Sequence, residues 1–320
     1  MNVGEATGPA GGAGSGRPGA GSATPRSRLA EPFLAAAAVL WAGSFIGARR
    51  VGGPEGFDAE AVLVGRTAIA AIAFVPAALR GRICMLSRRD LPPIIVLVFT
   101  GHAGYLLLFH LGAAGATAAT ASLIINLSPV IGVVAAALWL RDHLSGRQWA
   151  GVGLALGGSI PVSLADGGGL RLSSSVLWLL AAAVAAGIFV VAGKPVVDRM
   201  GAMSATAWGW WLSVPVAAPF IGRFAGQLGH AEPIAIWSLI YLGVGSSFLA
   251  YIAWSIGLSR ARASTASAWL FSVPVLAVFG AWALLGERPG GLTLAGGGVA
   301  LVGVWLASSN NAPPAVPVAD

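Results

Sequence analysis

AATASLIINLSPVIGVVAAALWLRDHLSGRQWAGVGLALGG, residues 118–158, recurs without a gap 145 positions later as ASTASAWLFSVPVLAVFGAWALLGERPGGLTLAGGGVALVG, residues 263–303. Thr120-Ala121-Ser122 stands over Thr265-Ala266-Ser267, Pro129-Val130 over Pro274-Val275, and Ala150-Gly151 with Gly153 over Ala295-Gly296 with Gly298. Sixteen of the 41 aligned positions are identical, where a composition this rich in small apolar residues gives roughly five by chance, so the match is a duplication. Internal repeats of this kind are the architecture of membrane carriers, with a solute site where the halves meet.

The rest of the chain fits that reading. Of its 320 residues, 56% are hydrophobic and 10% charged, against roughly 25% charged in a soluble domain. So few ionised groups cannot solvate a globule of this size, and the lipid bilayer is the expected solvent. A net charge of +7 does not point to nucleic acid, because the arginines stand singly or in pairs between apolar runs, with no basic stripe. Cys84 is the only cysteine, which excludes an intramolecular disulfide or a thiolate metal cluster.

A helix needs about 20 apolar residues to cross a hydrocarbon core about 30 Å thick. On that length the chain divides into ten segments, near 32–48, 61–79, 92–111, 116–140, 148–165, 174–193, 203–222, 235–258, 263–285 and 291–308. The expected fold is therefore an all-α membrane protein of ten transmembrane helices. Residues 1–31 read as a disordered cytoplasmic tail, 32–165 and 174–308 as two five-helix repeats, 166–173 as an external linker and 309–320 as a C-terminal tail. With the N-terminus inside, thirteen Lys and Arg fall on the cytoplasmic side and five outside, which favours both termini in the cytoplasm of a cell-membrane protein. Five is odd, so the second repeat enters the membrane upside down and the repeats are inverted.

No Asp or Glu lies inside any of the ten segments. Proton- and sodium-driven carriers commonly hold a carboxylate at membrane depth, and metal sites and paired-carboxylate catalysis need one as well. No metal or cofactor is expected on this pattern. The polar and aromatic residues inside the segments are the candidate solute contacts: Trp41, Ser44, His102, Tyr105, Asn126, Ser128, Tyr251, Trp269 and Ser272. Trp41, Tyr251, Trp254 and Trp269 form an aromatic wall or ordinary packing. Pro129 and Pro274 each free a backbone carbonyl and kink their helices, either to line a solute path or to pack a bundle.

Three ionisable groups carry paired readings. Arg66 either snorkels to the external interface or faces the bundle interior and holds an anionic group. His102 is a proton relay or a satisfied interhelical histidine, and His110, eight residues on, shares roughly its helix face. Lys194, at the cytoplasmic end of its segment, is a charge anchor or a gating contact. Gly151, Gly153, Gly157 and Gly158, with Gly296, Gly297, Gly298 and Gly303, form small-residue faces for close helix approach, within the chain or in a homodimer.

These residues together resemble the EamA-type branch of the drug/metabolite transporter superfamily. The resemblance is carried by Leu40-Trp41-Ala42-Gly43-Ser44-Phe45, Arg66-Thr67, Ala121-Ser122-Leu123, Leu127-Ser128-Pro129-Val130, Trp139-Leu140-Arg141-Asp142 and Gln148 with Gly151. In the second copy Thr265-Ala266-Ser267, Val273-Pro274-Val275 and Leu284-Leu285-Gly286-Glu287 carry it. It implies a carrier of small organic solutes such as amino acids, probing both sides of the membrane by alternating access around a central cavity, and an exporter rather than an enzyme. The first copy departs from the family in having Arg141-Asp142 where Gly-Glu is usual. The competing class is a membrane-embedded enzyme acting on a lipid-linked substrate, with His102 and Arg66 as its polar groups.

Overall fold

The computed structural model describes residues 30–53, 55–140, 144–165, 173–258 and 263–308. The C-terminal tail, the N-terminal tail up to residue 29, nearly all of the 166–173 linker and the Arg141-Asp142 turn lie outside these residues, while Glu31, expected in the tail, opens the first helix. The described chain runs α1 (Glu31–Val51), α2 (Ala59–Leu79), α3 (Leu91–Gly101), α4 (Ala103–Ala113), α5 (Ala118–Ile125), α6 (Ser128–Leu140) and α7 (Gly146–Ala165) through the first repeat. The second contains α8 (Ser174–Met200), α9 (Ala202–Ala217), a 3-10 turn (Ala218–Phe220), α10 (Ile221–Leu228), α11 (Pro233–Ile240), a π-helix (Tyr241–Leu249), α12 (Ala250–Leu258), α13 (Ala263–Leu285) and α14 (Gly291–Ser308).

Polar residues set where the apolar runs start. Asp58, Thr117 and Ser173 each cap a helix by accepting a backbone N–H three residues on, from Ala61, Thr120 and Val176. Each cap satisfies a donor that the first turn would otherwise leave open. Gly201, at φ 79°, ends α8 in a conformation that costs glycine nothing. α8 thus runs seven residues past the expected 193.

Six helical stretches are long and apolar enough to cross a bilayer, and Trp269–Leu285 and Gly291–Ala307 are shorter apolar helices. Two others fall short for visible reasons: the 3-10 turn divides the 203–222 segment, and α7 opens on Gly146-Arg147-Gln148.

Packing exchanges partners between the repeats. α1 lies against α13, α12 and the π-helix, while α8, which stands 145 residues on from α1, lies against α6, α4 and α3. The closest pair is α7 with α14. A methyl group on Gly151 would collide with backbone at Gly303 and Ala307, and one on Gly158 with backbone at Gly296 and Ala300. Residue numbers rise along one helix as they fall along the other, so the two are antiparallel. Gly151 is the counterpart of Gly296 and Gly158 of Gly303, so the contacts 151–303 and 158–296 are one contact seen from either side of a pseudo-two-fold axis. Four of the eight glycines singled out from the sequence therefore seal a seam within the chain. Gly297 meets the Leu123 side chain, while Gly153, Gly157 and Gly298 have nothing within 4 Å.

Four segments expected as continuous helices are interrupted: the fourth, 116–140, at Asn126-Leu127, the seventh by the 3-10 turn, and two more at equivalent positions. The third, 92–111, breaks at His102 (φ −121°, ψ −106°), and the eighth is wound as a π-helix over nine residues. These sites are equivalent, since Ser247 lies 145 residues beyond His102. Each repairs itself in the same way. His102 Nδ1 bonds the Leu97 carbonyl at 3.0 Å, and Ser247 Oγ donates to the Leu242 carbonyl at 3.0 Å, both reaching five residues back. In each, a side chain adds a hydrogen bond to a carbonyl beside the irregular turn, where lipid supplies none.

Candidate functional site

A cavity of about 220 Å³ sits where the repeats meet. Pockets for drug-sized ligands run to roughly 300–1,000 Å³, so this one suits a small solute. The first repeat gives it Trp41 and Ser44 from α1, Arg66 from α2, Tyr105 from α4, and Ser122, Asn126, Ser128 and Pro129 from α5 and α6. The second repeat contributes Ala186 and Phe189 from α8, Ser246 from the π-helix, Tyr251 from α12, and Leu270, Val273 and Pro274 from α13.

The floor of the wall is aromatic. Trp41 meets Tyr251 edge-on with ring centres 5.6 Å apart and Trp254 at 5.4 Å. Tyr105 stacks on Phe109 at 5.9 Å. Such rings give a solute apolar contact area with a hydroxyl or indole N–H at the edge. The break between Ile125 and Ser128, immediately before Pro129, presents Asn126 to the cavity with its amide nitrogen buried and without a hydrogen-bond partner. The second copy differs, because α13 continues through Pro274.

Arg66 is the only charged residue on the wall among the described residues. Its residue exposure is 5%, so it does not snorkel to the interface. Nε donates to Ser247 Oγ at 2.7 Å, Nη2 donates to Ser246 Oγ at 3.0 Å, and Nη1 faces His110 Nε2 at 3.4 Å. For that last contact the imidazole nitrogen must be the acceptor, which makes His110 a neutral neighbour. None of the ion pairs among the described residues involves Arg66. An ion buried without a counter-ion costs several kcal/mol.

His102 stands behind the wall rather than on it. Its ring is 1% exposed and enclosed by Phe189, Trp210 and Tyr251, with ring centres at 5.6, 4.9 and 6.3 Å. A carbonyl only accepts, so the bond to Leu97 places the proton on Nδ1. Nε2 is left without a partner in this apolar cage. Trp269 and Ser272 lie half-buried on α13, outside the lining, and the Ser272 hydroxyl turns back to donate to the Trp269 carbonyl at 2.6 Å. The side chain of Lys194 lies outside the described residues.

Sequence reasoning missed Ser246, Phe189 and the contact of His110 with Arg66. A Gly-Val-Gly-Ser-Ser run at 243–247 was the available signal for the first. It reads as plain small-residue packing until the partner arginine, 180 residues away, is in view.

Comparison with known proteins agrees with this architecture. A crystal structure of a protein superposes with a TM-score of 0.56 at 18% identity, over 88% of this chain and 98% of its own, which supports the fold alone. A protein of Streptantibioticus cattleyicolor named as a probable terminal-alkyne amino-acid exporter is 31% identical, over 84% of this chain and 89% of its own. The uncharacterised transporter YdfC of Bacillus subtilis is 29% identical, over 83% and 86%. These relatives point to a transporter rather than an enzyme. The model of the EamA-like transporter family matches residues 28–164 and again 173–309. With two matches spanning both repeats, the chain is a multi-pass membrane protein and belongs to the EamA-like transporter family.

Proposed function

We propose that the protein exports small organic metabolites, amino acids or related compounds, across the cytoplasmic membrane by alternating access around the cavity. The observation that carries this reading is that one small cavity draws its walls from helices of both repeats. A rocking motion between the repeats then opens it to one side at a time. Ten crossings, as two inverted five-helix units at 32–165 and 174–308, account for the antiparallel seam, because two equivalent helices can run antiparallel only if their repeats are inverted. Both termini then face the cytoplasm.

Two measurements test this. Cells that overproduce the protein and are loaded with amino acids through dipeptide feeding should empty those pools faster than cells carrying the empty vector. Unchanged efflux of every amino acid would sink the exporter reading. For orientation, Cys84 is the sole cysteine and is exposed between α2 and α3. A membrane-impermeant maleimide should label it in inside-out vesicles and leave it unlabelled in intact cells. The opposite pattern puts both termini outside.

A further inference from the structure

We infer that Arg66 is the anchor for a solute carboxylate, so that the transported class is defined by an acid group and not by an amino group. This rests on the carrier reading above and adds the chemistry of the solute.

Three observations support it. The guanidinium is buried, lies on the cavity wall and has no carboxylate partner among the described residues. Its neighbours are two hydroxyls and a neutral imidazole, which fix its orientation without cancelling its charge. Nothing in a purely structural role calls for a cation there, because a neutral amide could bond the same two serines.

Arginine carries five N–H donors, of which those contacts use three. One N–H remains on each terminal nitrogen, which leaves two donors for a solute carboxylate. The second observation is independent: the Asn126 amide nitrogen, also on this wall, is buried and lacks an acceptor. A carboxylate oxygen or a carbonyl supplies one.

The third observation concerns the other end of the solute. No Asp or Glu is among the described residues that line the cavity. Among the described residues an ammonium group therefore meets no opposite charge there, while Trp41, Tyr105 and Tyr251 offer surface to a short apolar chain. The solute this describes is an acid with a small hydrocarbon body, in which an amino group is tolerated and not required.

The experiment is counterflow into proteoliposomes containing the full chain, with three probes for each of several apolar side chains: the amino acid, its amide and its deaminated carboxylic acid. For the leucine set these are L-leucine, L-leucinamide and 4-methylpentanoate. Uptake of the amino acid and of the deaminated acid, with the amide excluded by about 10- to 100-fold in apparent affinity, is the expected result. Equal handling of amide and acid overturns the anchor while leaving the carrier intact. Uptake of inorganic phosphate in preference to the organic acids also overturns it, and a wild type that carries no probe of any set overturns both readings. Arg66→Gln should erase the discrimination, and Arg66→Lys should retain it at lower affinity, since an ammonium keeps the charge but not the fork. If Arg66→Gln does not reach the membrane, the probe comparison in the unaltered chain still decides.

Discussion

The glycine seam and the cavity wall show what duplication preserved and what it released. At the seam, equivalent residues do equivalent work: Gly151 and Gly296, Gly158 and Gly303, Ala155 and Ala300 each meet backbone of the opposite copy. On the wall, equivalent positions have parted. Asn126 corresponds to Phe271, Ser128 to Val273 and, counting 145 residues on, Arg66 to Trp211. A contact across a two-fold axis is made by both copies at once, so neither can change alone. A cavity wall has no such constraint, and one copy took most of the polar chemistry.

The largest expected effect is at the seam. Gly158→Val or Gly303→Val drives a branched side chain into backbone that cannot step aside, and each should cost about 3 kcal/mol of stability, read by unfolding of the purified protein. Gly153→Val and Gly298→Val are the control pair. They are also equivalent to each other, but with open space around both they should stay within about 0.5 kcal/mol of wild type. A seam substitution tolerated in one copy alone breaks the symmetry argument.

The wall is tested by copying the second repeat onto the first. Asn126→Phe should leave the fold in place and reduce efflux at least about tenfold, because it fills the cavity and removes a donor. Normal efflux in this variant would show that the asymmetry has no bearing on transport.

A smaller effect is expected at the paired helix interruptions. His102→Leu removes the side-chain hydrogen bond to the Leu97 carbonyl and should cost about 1 kcal/mol. The pH dependence of transport should match wild type, since His102 does not reach the cavity. An altered pH profile would restore His102 as a proton relay.

The least effect is expected where the repeats are clamped outside the bilayer. Asp58 is partly buried, which raises its pKa, but hydrogen bonds from the Ala61 N–H, Gln227 and Arg223, together with the Arg223 charge, hold it below the ordinary carboxylate value. A depressed pKa contributes stability that is present above the unfolded value of about 3.9 and is lost as pH falls through the folded one. Asp58→Asn should therefore flatten the melting midpoint below about pH 4. At pH 7 the change should be under about 3 °C, because the pair is solvent-screened.

Much of this was legible in the sequence because lipid imposes one simple rule. Helix length and apolarity placed most of the segments within a few residues of observed helices, with α8 running seven residues on, and the gap-free repeat matched the segments of one copy to those of the other. The interruptions at His102 and across Tyr241–Leu249 were not legible, since glycine inside an apolar run does not mark a break when water is absent. The placing of Arg66 needed more than its own helix. Whether it snorkels or turns inward depends on the rotation of α2, which is fixed by Ser246 and Ser247 in the other repeat. For the same reason Trp269 and Ser272 could be assigned to a segment but not to one of its faces.

Helices α7 and α14 touch main chain to main chain at Gly151, Gly158, Gly296 and Gly303, with Val152, Ala155, Val304 and Ala307 packed between those points. Their outer surfaces carry Leu154, Leu156, Ile160, Val299 and Trp305, all exposed, so this contact lies at the rim of the bundle. Under the alternating-access reading proposed above, such a line would serve as a hinge pin: it would hold its spacing while the rest swings about it, and travel would grow with the lever arm. A pair of spin labels straddling the pin should keep one fixed separation throughout turnover, whereas pairs spanning the cavity mouths should report two.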